Sequence, residues 1–381
     1  MDFSIPHTLS EEIISLKKFI KDRIVSELPG WYQRQEIPAE FFRQMGEGGW
    51  YGIELRDGRL SRSSTLREAL IAEELAKVSP GVAVAALAQI DLGLMALLLF
   101  GSDELKASYS RFATMGKTLM CLGNTESMAG SDVAGIEMRA QKVKGGWLLN
   151  GTKAYVTNGF ISDLAVITAV SNPETSRNKR LSMYLVDLKA EGIRKKKLNK
   201  QVWIPSDLTR LQFSDVFVPE DHLLGNEGQG LQQVLTVFTH SRIPIAAMTL
   251  GTAVGAFELA LEHARKRKIF GQAITDFQAK NYEAADLYAK IEAARLMIWK
   301  ASWKMDQNKN FRLESSLAKY LAVEIARKVT TWAADIFGAA SVIREHPIHK
   351  FPMDAWASSL GEGTQDVQKL VIFRELIKQY S

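Results

Sequence analysis

A carboxylate near the C-terminus of the chain stands in a setting that suits proton transfer. Glu362 lies in the segment 360–364, between Gly361 and Gly363 and just before a helix predicted from about Thr364. Glycines on both sides let a ligand approach the backbone closely, and a carboxylate held there can act as a general base. An acid at a helix N-terminus is also stabilised by the helix dipole, so this segment alone leaves a purely structural role open.

A second group of polar residues accompanies the predicted strands in the middle of the chain. Residues 120–159 place Ser, Thr and Gly beside strands, which supplies the hydrogen-bond donors that a flat, anionic cofactor requires. Thr125, Ser131 and Thr157 belong to this group, and Tyr155 adds an aromatic ring. Threonine is also common in strands because it fits a pleated surface, so each residue taken alone indicates only a strand.

Five short motifs, taken together, point to one family. Their order and spacing resemble those of the FAD-dependent acyl-CoA dehydrogenases along nearly the whole chain. The motifs are Thr125-Glu126, Ala129-Gly130-Ser131-Asp132, Thr157-Asn158-Gly159, Arg267-Lys268-Ile269-Phe270-Gly271 and Glu362-Gly363-Thr364. The resemblance implies an α+β fold with an N-terminal α-helical domain, a middle β-barrel domain and a C-terminal four-helix bundle.

The resemblance also assigns roles to these residues. Glu362 corresponds to the base that removes the α-proton of the substrate, and its own backbone N–H is one donor to the thioester carbonyl. The α-hydrogen of a thioester is weakly acidic, so such a site must stabilise an enolate with fixed donors and desolvate the carboxylate. Two of the implied flavin contacts, Arg267 and Phe270, are supplied by a neighbouring subunit. The full set of implied cofactor contacts is Thr125, Ser131, Tyr155, Thr157, Arg267, Phe270, Gly338 and Thr364.

Two sites depart from the family pattern. The Gln-x-x-Gly-Gly turn that holds the adenine end of the cofactor begins here with Asp335 and ends with Ala339, which predicts a different grip on the adenosine. Arg242 matches an arginine that binds the adenine of CoA, but the acidic residue three positions earlier is Thr239 here. Both departures concern affinity for the adenosine groups rather than the identity of the ligands.

Two residues bear on the acyl group of the substrate. Gly361 stands where many straight-chain members of the family have a tyrosine, so a roomier pocket for a branched or cyclic acyl group is expected. Asp91 lies in an apolar helix that matches the floor of the acyl cavity. A lone buried carboxylate is costly, so Asp91 is either satisfied by a nearby group or acts as a second acid or base on the distal acyl group. In the second case the chain resembles the alicyclic acyl-CoA dehydrogenases, which act on cyclohexane-1-carboxyl-CoA and cyclohex-1-ene-1-carboxyl-CoA.

The elements that must position these residues follow from the sequence pattern. An α-helical domain is predicted over 1–117, a β-domain that cradles flavin and acyl-CoA over 118–225, and a helical bundle over 226–381. In the first domain, Thr8-Leu-Ser-Glu11 and Thr65-Leu-Arg-Glu68 are interpreted as capping boxes that open helices, with Pro29-Gly30 ending the first. The strands are expected over 136–143, 147–150, 164–170, 181–188, 193–198 and 211–216, with a hairpin turn at Gly145-Gly146, and the long helices over about 230–266, 277–307, 313–337 and 364–380.

Composition limits the remaining classes of function. The single cysteine, Cys121, excludes an internal disulfide framework, and the absence of a leader sequence predicts a cytoplasmic protein. The apolar stretch 81–100 is long enough to span a membrane, but Gln89 and Asp91 at its centre favour a buried helix. No metal site is expected, because His346 and His349 flank a proline without a third ligand nearby.

The sequence therefore predicts a FAD-dependent acyl-CoA dehydrogenase. We expect a homotetramer that passes electrons to an electron-transferring flavoprotein and binds neither nucleic acid nor membrane. An acyl-CoA oxidase, or a dehydrogenase of a different acyl-CoA or acyl-carrier-protein thioester, remains open as an alternative. A non-catalytic nucleic-acid-binding relative is a further alternative, for which the net charge of +5 is the only support, since CoA explains that sign equally well.

Overall fold

The structure is a computed structural model that describes residues 5–56 and 59–380. A helical region, a β-sheet region and a second helical region follow one another in the predicted order. The N-terminal region contains the helices α1 (His7–Phe19), α2 (Leu28–Arg34), α3 (Ala39–Glu47), α4 (Thr65–Val78), α5 (Pro80–Leu87), α6 (Met95–Phe100) and α7 (Asp103–Thr114), and the hairpin strands β1 (Ile53–Arg56) and β2 (Arg59–Arg62). This hairpin was not predicted.

Two details predicted for the helix ends of this region are wrong. Pro29 does not end a helix but lies in the first turn of α2, where its missing N–H needs no partner. The capping boxes do not form, because α1 and α4 begin after Pro6 and Ser64 without a side-chain cap. Glu68, predicted to cap α4, forms an ion pair with Arg62 on β2 instead.

The apolar stretch 80–100 is helical throughout, but its centre is wound differently. Between α5 and α6 the segment Ala88–Leu94 is π-helical, a form found mostly as single turns that often mark functional sites. By length and composition Pro80–Phe100 could span a membrane, and so could Gly230–Lys266. In the most apolar 18-residue stretch of each helix, 83% and 89% is buried inside the protein, respectively, as is expected of a core helix.

The middle region forms one eight-stranded sheet. Its strand order is β10-β7-β6-β4-β5-β9-β8, and β3 pairs in parallel with β6. All six predicted strands are present, and the turn at Gly145-Gly146 joins β4 to β5 as predicted. The strands are β3 (Met120–Gly123), β4 (Arg139–Val143), β5 (Gly146–Thr157), β6 (Leu164–Val170), β7 (Leu181–Asp187), β8 (Ile193–Lys197), β9 (Leu208–Pro219) and β10 (Leu223–Leu224).

The C-terminal region is again helical. The four long helices occur as predicted, within two or three residues at most ends, and the domain boundaries remain predictions. The elements are α8 (Gly230–Lys266), the hairpin strands β11 (Lys268–Ile269) and β12 (Gln272–Ala273), α9 (Gln278–Asp306), α10 (Arg312–Phe337), α11 (Lys350–Ala357) and α12 (Gln365–Ile377).

Helix α8 joins the two helical regions because it packs against α4 on one side and α10 on the other. Two glycines of α8 permit the contact with α4. A Cβ atom at Gly251 would lie 2.3 Å from the carbonyl oxygen of Glu73, and one at Gly255 would lie 2.1 Å from that of Lys77. No larger residue fits at either position, so the two backbones touch directly.

Candidate active site

Glu362 lies in the turn between α11 and α12. Its φ is 51° and that of Gly363 is 95°, so two consecutive residues adopt the left-handed conformation, which costs free energy for a residue other than glycine. Thr364 is the N-cap of α12, and its side chain accepts a hydrogen bond from the N–H of Val367 at 3.4 Å. The predicted helix start is thus right to one residue.

Buried side chains from three helices meet the backbone of this turn. Lys319 on α10 donates from Nζ to the carbonyl oxygens of Gly361 and Gly363, the latter at 2.5 Å. Gln368 on α12 donates from Nε2 to the carbonyl oxygens of Glu362 and Gly363 at 3.1 and 3.0 Å. Arg242 on α8 lies with Nε 3.5 Å from the carbonyl oxygen of Glu362.

The surroundings of Glu362 bring its carboxyl group into the range of a general base. Burial raises the pKa of Glu362 to about 7, and the positive charges of Lys319 and Arg242 oppose that rise. Burial also lowers the pKa of Lys319 to about 8. A base works best when its pKa is near the operating pH, so Glu362 is suited to remove a weakly acidic proton.

Asp91 lies in the π-helical segment and is buried. Within residues 5–56 and 59–380, neither of its carboxylate oxygens has a hydrogen-bond partner. Burial and the neighbouring carboxylate of Glu68 raise its pKa well above the usual range, and Glu362 adds to the rise. The positive charge of Arg62 opposes this rise in pKa, but among the described residues no basic or backbone group forms a hydrogen bond with Asp91, and its role remains a prediction. Asp91 and Glu362 are close enough to repel each other.

Sequence reasoning missed a set of polar residues beside Asp91. The guanidinium of Arg62 donates from Nε to both oxygens of Glu68, at 2.9 and 3.1 Å. Its Nη1 lies 3.3 Å from Nδ1 of His240 and 3.1 Å from Sδ of Met305. Burial and the charge of Arg62 lower the pKa of His240 to about 4, which leaves that ring neutral at pH 7. Arg62 lies on the hairpin that the sequence did not predict, and the motif around Glu68 was assigned to a helix cap.

Two predicted flavin residues of the middle region, Tyr155 and Thr157, lie at the C-terminal end of β5, and Thr125 lies in the loop after β3 beside that end. The pairing of β5 with β9 shifts register between Lys153 and Val156, and Tyr155 leaves the sheet there with φ 56° and 59% of its surface exposed. Bulges of this kind re-aim a side chain. The N–H of Ala154 donates to the carbonyl oxygen of Thr125 at 2.8 Å, which joins the loop after β3 to the same edge. Thr157 ends β5 and is half-buried.

A buried ion pair holds the loop after β3 in place. Lys153, fully buried on β5, donates to Glu126 Oε1 at 2.7 Å and to the carbonyl oxygen of Asn124 at 3.0 Å. Glu126 accepts in turn from the N–H groups of residues 137 and 138. Ser131 lies further along this loop and is exposed. The result is a braced edge with hydroxyls and one exposed aromatic ring, which fits the flat ring of a flavin and its phosphates.

The remaining predicted cofactor residues lie on the surface of the C-terminal region. Arg267 follows the last residue of α8, and Phe270 forms the turn between β11 and β12 with 97% of its surface exposed. Gly338 ends α10 with φ 60°. An aromatic side chain so exposed on a hairpin tip is free to contact another subunit, as the resemblance implies.

Comparison with known proteins identifies the family. Three domain profiles match in order: the acyl-CoA dehydrogenase N-terminal domain at residues 13–117, the middle domain at 121–216 and the C-terminal domain at 228–377. The chain belongs to the acyl-CoA dehydrogenase family. It is an oxidoreductase with the acyl-CoA dehydrogenase fold and FAD as its cofactor.

The relatives and solved structures of this acyl-CoA dehydrogenase cover nearly its whole length. The probable acyl-CoA dehydrogenase YngJ of Bacillus subtilis is 32% identical over 95% of this chain and 96% of its own. The caffeyl-CoA reductase-Etf complex subunit CarC of Acetobacterium woodii is 32% identical over 90% of this chain and 91% of its own.

Two solved structures superpose closely. Butyryl-CoA dehydrogenase from Megasphaera elsdenii has a TM-score of 0.94 at 28% identity, over 99% of this chain and all of that one. The FAD complex of PigA has a TM-score of 0.93 at 27% identity, over 99% of each chain.

In this acyl-CoA dehydrogenase the protein supplies the base and the donors. FAD, when bound, accepts the hydride that leaves the substrate β-carbon. Thr125, Tyr155 and Thr157 remain the predicted contacts of its ring, and Glu362, whose pKa is raised by burial, remains the predicted base for the α-proton. Arg242 is buried and lies beside the backbone of Glu362. Its contact with CoA remains a prediction, and the structure adds a contact with the backbone of the predicted base.

Proposed function

We propose that this acyl-CoA dehydrogenase oxidises a cyclic or branched acyl-CoA, with Glu362 as the base for the α-proton and Asp91 facing the distal part of the acyl group. The main support is Asp91. A buried carboxyl group whose two oxygens find no partner within residues 5–56 and 59–380 is costly to retain, and it is relieved when a ligand supplies a donor or an exchangeable proton.

Gly361 provides independent support for a roomy pocket. A Cβ atom added at Gly361 would meet no atom within 4 Å, so the absence of a side chain here leaves open space next to Glu362. A bulky ring beside the substrate Cα needs such space. A straight chain does not, so an enzyme for straight chains gains nothing from an open position here.

The open space at Gly361 and the unpartnered acid together favour an alicyclic ring, such as that of cyclohexane-1-carboxyl-CoA or cyclohex-1-ene-1-carboxyl-CoA. With a saturated ring, Glu362 takes the α-proton and Asp91 remains a neutral acid that packs against the ring. With an unsaturated ring, Asp91 takes a ring proton that is acidified by conjugation to the thioester. The raised pKa of Asp91 supports both roles: it keeps the carboxyl group protonated beside a saturated ring, and it makes Asp91 a stronger base once deprotonated.

The substrate is tested with the FAD-loaded enzyme and three classes of acyl-CoA: saturated cyclic, unsaturated cyclic and straight-chain. We expect the fastest flavin bleaching with a cyclic thioester. Asp91→Asn keeps the shape of the side chain and removes its acidity, so bleaching by the unsaturated ring should fall at least about 100-fold if Asp91 is the base there. With the saturated ring the loss should be modest. Faster bleaching by straight chains, together with an Asp91→Asn variant that matches wild type on all three classes, would refute the proposal.

We also propose that the enzyme is a cytoplasmic homotetramer that passes its electrons to an electron-transferring flavoprotein. The name of the relative CarC, a subunit of a reductase-Etf complex, supports that kind of acceptor. Exposed apolar side chains on the last two helices and the segment between them support subunit contacts; they are Trp356, Leu360, Leu370, Phe373 and Ile377. Sedimentation gives the subunit number, and reoxidation of the bleached flavin in air against an added electron-transferring flavoprotein gives the acceptor.

A further inference from the structure

We propose that Lys319 is a positioning residue: together with Gln368 and Arg242 it holds the carbonyl groups of residues 361–363 toward the protein core, and so directs Glu362 toward the substrate. The inference rests on the function proposed above, in which Glu362 is the base. It assigns a role to a lysine that is completely buried and that touches no carboxylate oxygen by hydrogen bond.

The donors converge on one turn from three different helices. Lys319 binds the first and third carbonyl oxygens of the turn, and Gln368 binds the second and third. Arg242 faces the second from α8. Three consecutive carbonyl groups are therefore fixed by side chains that are themselves buried, and we call this arrangement the carbonyl clamp. Such a set of contacts is needed to maintain a glutamate at φ 51°, a conformation that its side chain disfavours.

The clamp determines where the N–H groups of the turn point. Across a trans peptide bond the carbonyl oxygen and the following N–H point in opposite directions. Because the carbonyl oxygen of Gly361 points to Lys319, the N–H of Glu362 points away from the core, and the same argument applies to the N–H of Gly363. Among the described residues, neither N–H has an acceptor. The clamp thus leaves two donors available to an oxyanion on the substrate side.

The clamp also places a positive charge beside the base without neutralising it. If Lys319 formed a hydrogen-bonded ion pair with Glu362, it would occupy the lone pairs that must receive the proton. Here its hydrogen bonds go to carbonyl oxygens, and Oε2 of Glu362 has no partner within the described ranges. The charge of Lys319 still lowers the pKa of Glu362, against the rise caused by burial. The base is therefore kept deprotonated in part and free to act.

The first test uses Lys319→Met, which keeps the length of the side chain and removes its charge and its donors. We expect the limiting rate of flavin bleaching by acyl-CoA to fall about 100-fold, because the base and its N–H lose their fixed position. The acyl-CoA concentration for half-maximal rate should change little. The pKa read from the rate against pH should rise by about one unit, because a nearby opposite charge is lost.

A matched control comes from Lys200. Its Nζ also donates to two backbone carbonyl oxygens, those of Val202 and Trp203, and burial lowers its pKa to about 8, but it lies in the middle region. Lys200→Met should keep the bleaching rate and its pH profile. If Lys319→Met also keeps both, the proposal is wrong.

Gln368→Met separates geometry from charge. This variant removes two clamp hydrogen bonds but no charge, so the rate should fall while the pKa of the profile stays at the wild-type value. It also keeps the proposal testable if Lys319→Met does not fold. An unchanged rate in Gln368→Met would show that the clamp does not position the base.

One measurement does not depend on the substrate. Cleavage after Glu362 by a glutamate-specific protease, followed by mass spectrometry on the FAD-loaded enzyme, reports how often the turn opens. Lys319→Met and Gln368→Met should be cleaved faster at this bond than wild type and Lys200→Met. If no acyl-CoA bleaches the wild-type flavin, the proposed function fails but this readout still tests the clamp. Equal cleavage in all four proteins would overturn the clamp itself.

Discussion

Asp91 is fully buried and Glu362 is half-buried with its Oε2 out of contact with solvent; the two carboxyl groups lie in the same part of the molecule, but their surroundings differ. Glu362 lies beside two buried cations, and the backbone on either side of it is clamped by hydrogen bonds. Asp91 lies beside another carboxylate, Glu68, whose own charge is already paired with Arg62. Burial raises both pKa values. Two cations limit the rise at Glu362, whereas at Asp91 the carboxylates of Glu68 and Glu362 add to the rise and only Arg62 opposes it. These different surroundings agree with the different tasks that we propose for the two acids.

The largest effect should come from Glu362→Gln. The amide keeps the shape of the side chain but has no useful basicity, so removal of the α-proton should slow by about four orders of magnitude while FAD remains bound. Exchange of the α-proton of a saturated acyl-CoA with D₂O, followed by NMR, measures this step apart from hydride loss. Asp91→Asn should leave that exchange close to wild type. If Asp91→Asn slows the proton exchange and Glu362→Gln does not, the roles of the two carboxyl groups must be reversed.

A smaller effect should follow from filling the space beside Glu362. Gly361→Tyr introduces a ring where a Cβ atom meets nothing within 4 Å, and the backbone of Gly361 is not left-handed, so the variant should fold. We expect the rate with a cyclic acyl-CoA to fall about tenfold, since steric exclusion from a pocket is worth roughly 1 to 3 kcal/mol. Straight-chain thioesters should be unaffected or improved. An equal loss on both classes would mean that the tyrosine disturbs Glu362 rather than the acyl pocket.

A further effect is on stability and depends on pH. The pKa of Glu362 is about 7 in the folded protein against 4.5 for an ordinary glutamate, so the folded state holds this proton more tightly than the unfolded state. Glu362 therefore lowers stability as the pH rises from about 4.5 to 7. Glu362→Gln removes that cost, and we expect it to be more stable than wild type by about 2 to 3 kcal/mol at pH 8, with most of the gain absent at pH 5. Urea unfolding at the two pH values measures it, with Glu345→Gln as an exposed control.

The sequence was sufficient for elements whose signals are local. Helix α8 was predicted with the right ends, because a long apolar pattern runs between a glycine-rich turn and a basic last turn. Strand β6 was also right at both ends, since all seven of its residues are buried and six of them are apolar. Short strand β3 was missed because four residues carry too little pattern, and its pairing partner β6 lies about forty residues further along the chain.

The residues of the candidate site could be predicted only where they belong to a local sequence motif. Glu362 and the polar edge of β5 follow from local motifs, but Arg62 and Lys319 do not. The link between Arg62 and Glu68 depends on a hairpin whose two strands stabilise each other, and no single segment shows it. In the sequence Lys319 resembles any other lysine on an amphipathic helix. Only the folded structure shows that its Nζ contacts the turn that precedes α12. One signal was available: the residues three and four positions before and after Lys319 on α10, which share its helix face, are all small or apolar; they are Ser315, Ser316, Ala322 and Val323.

The direct contact between α8 and α4 has a consequence for which substrates the enzyme can accept. Gly251 and Gly255 leave no side chain between the two backbones, so the contact contains nothing compressible. Helix α8 carries Arg242 at the turn of Glu362, and α4 carries Glu68 beside Asp91. Each carboxyl group therefore adjoins a residue of one of two helices that are packed backbone to backbone, which limits changes in the distance between the two acids. Under the function proposed above, only an acyl group whose reactive carbons match that distance can reach both acids at once.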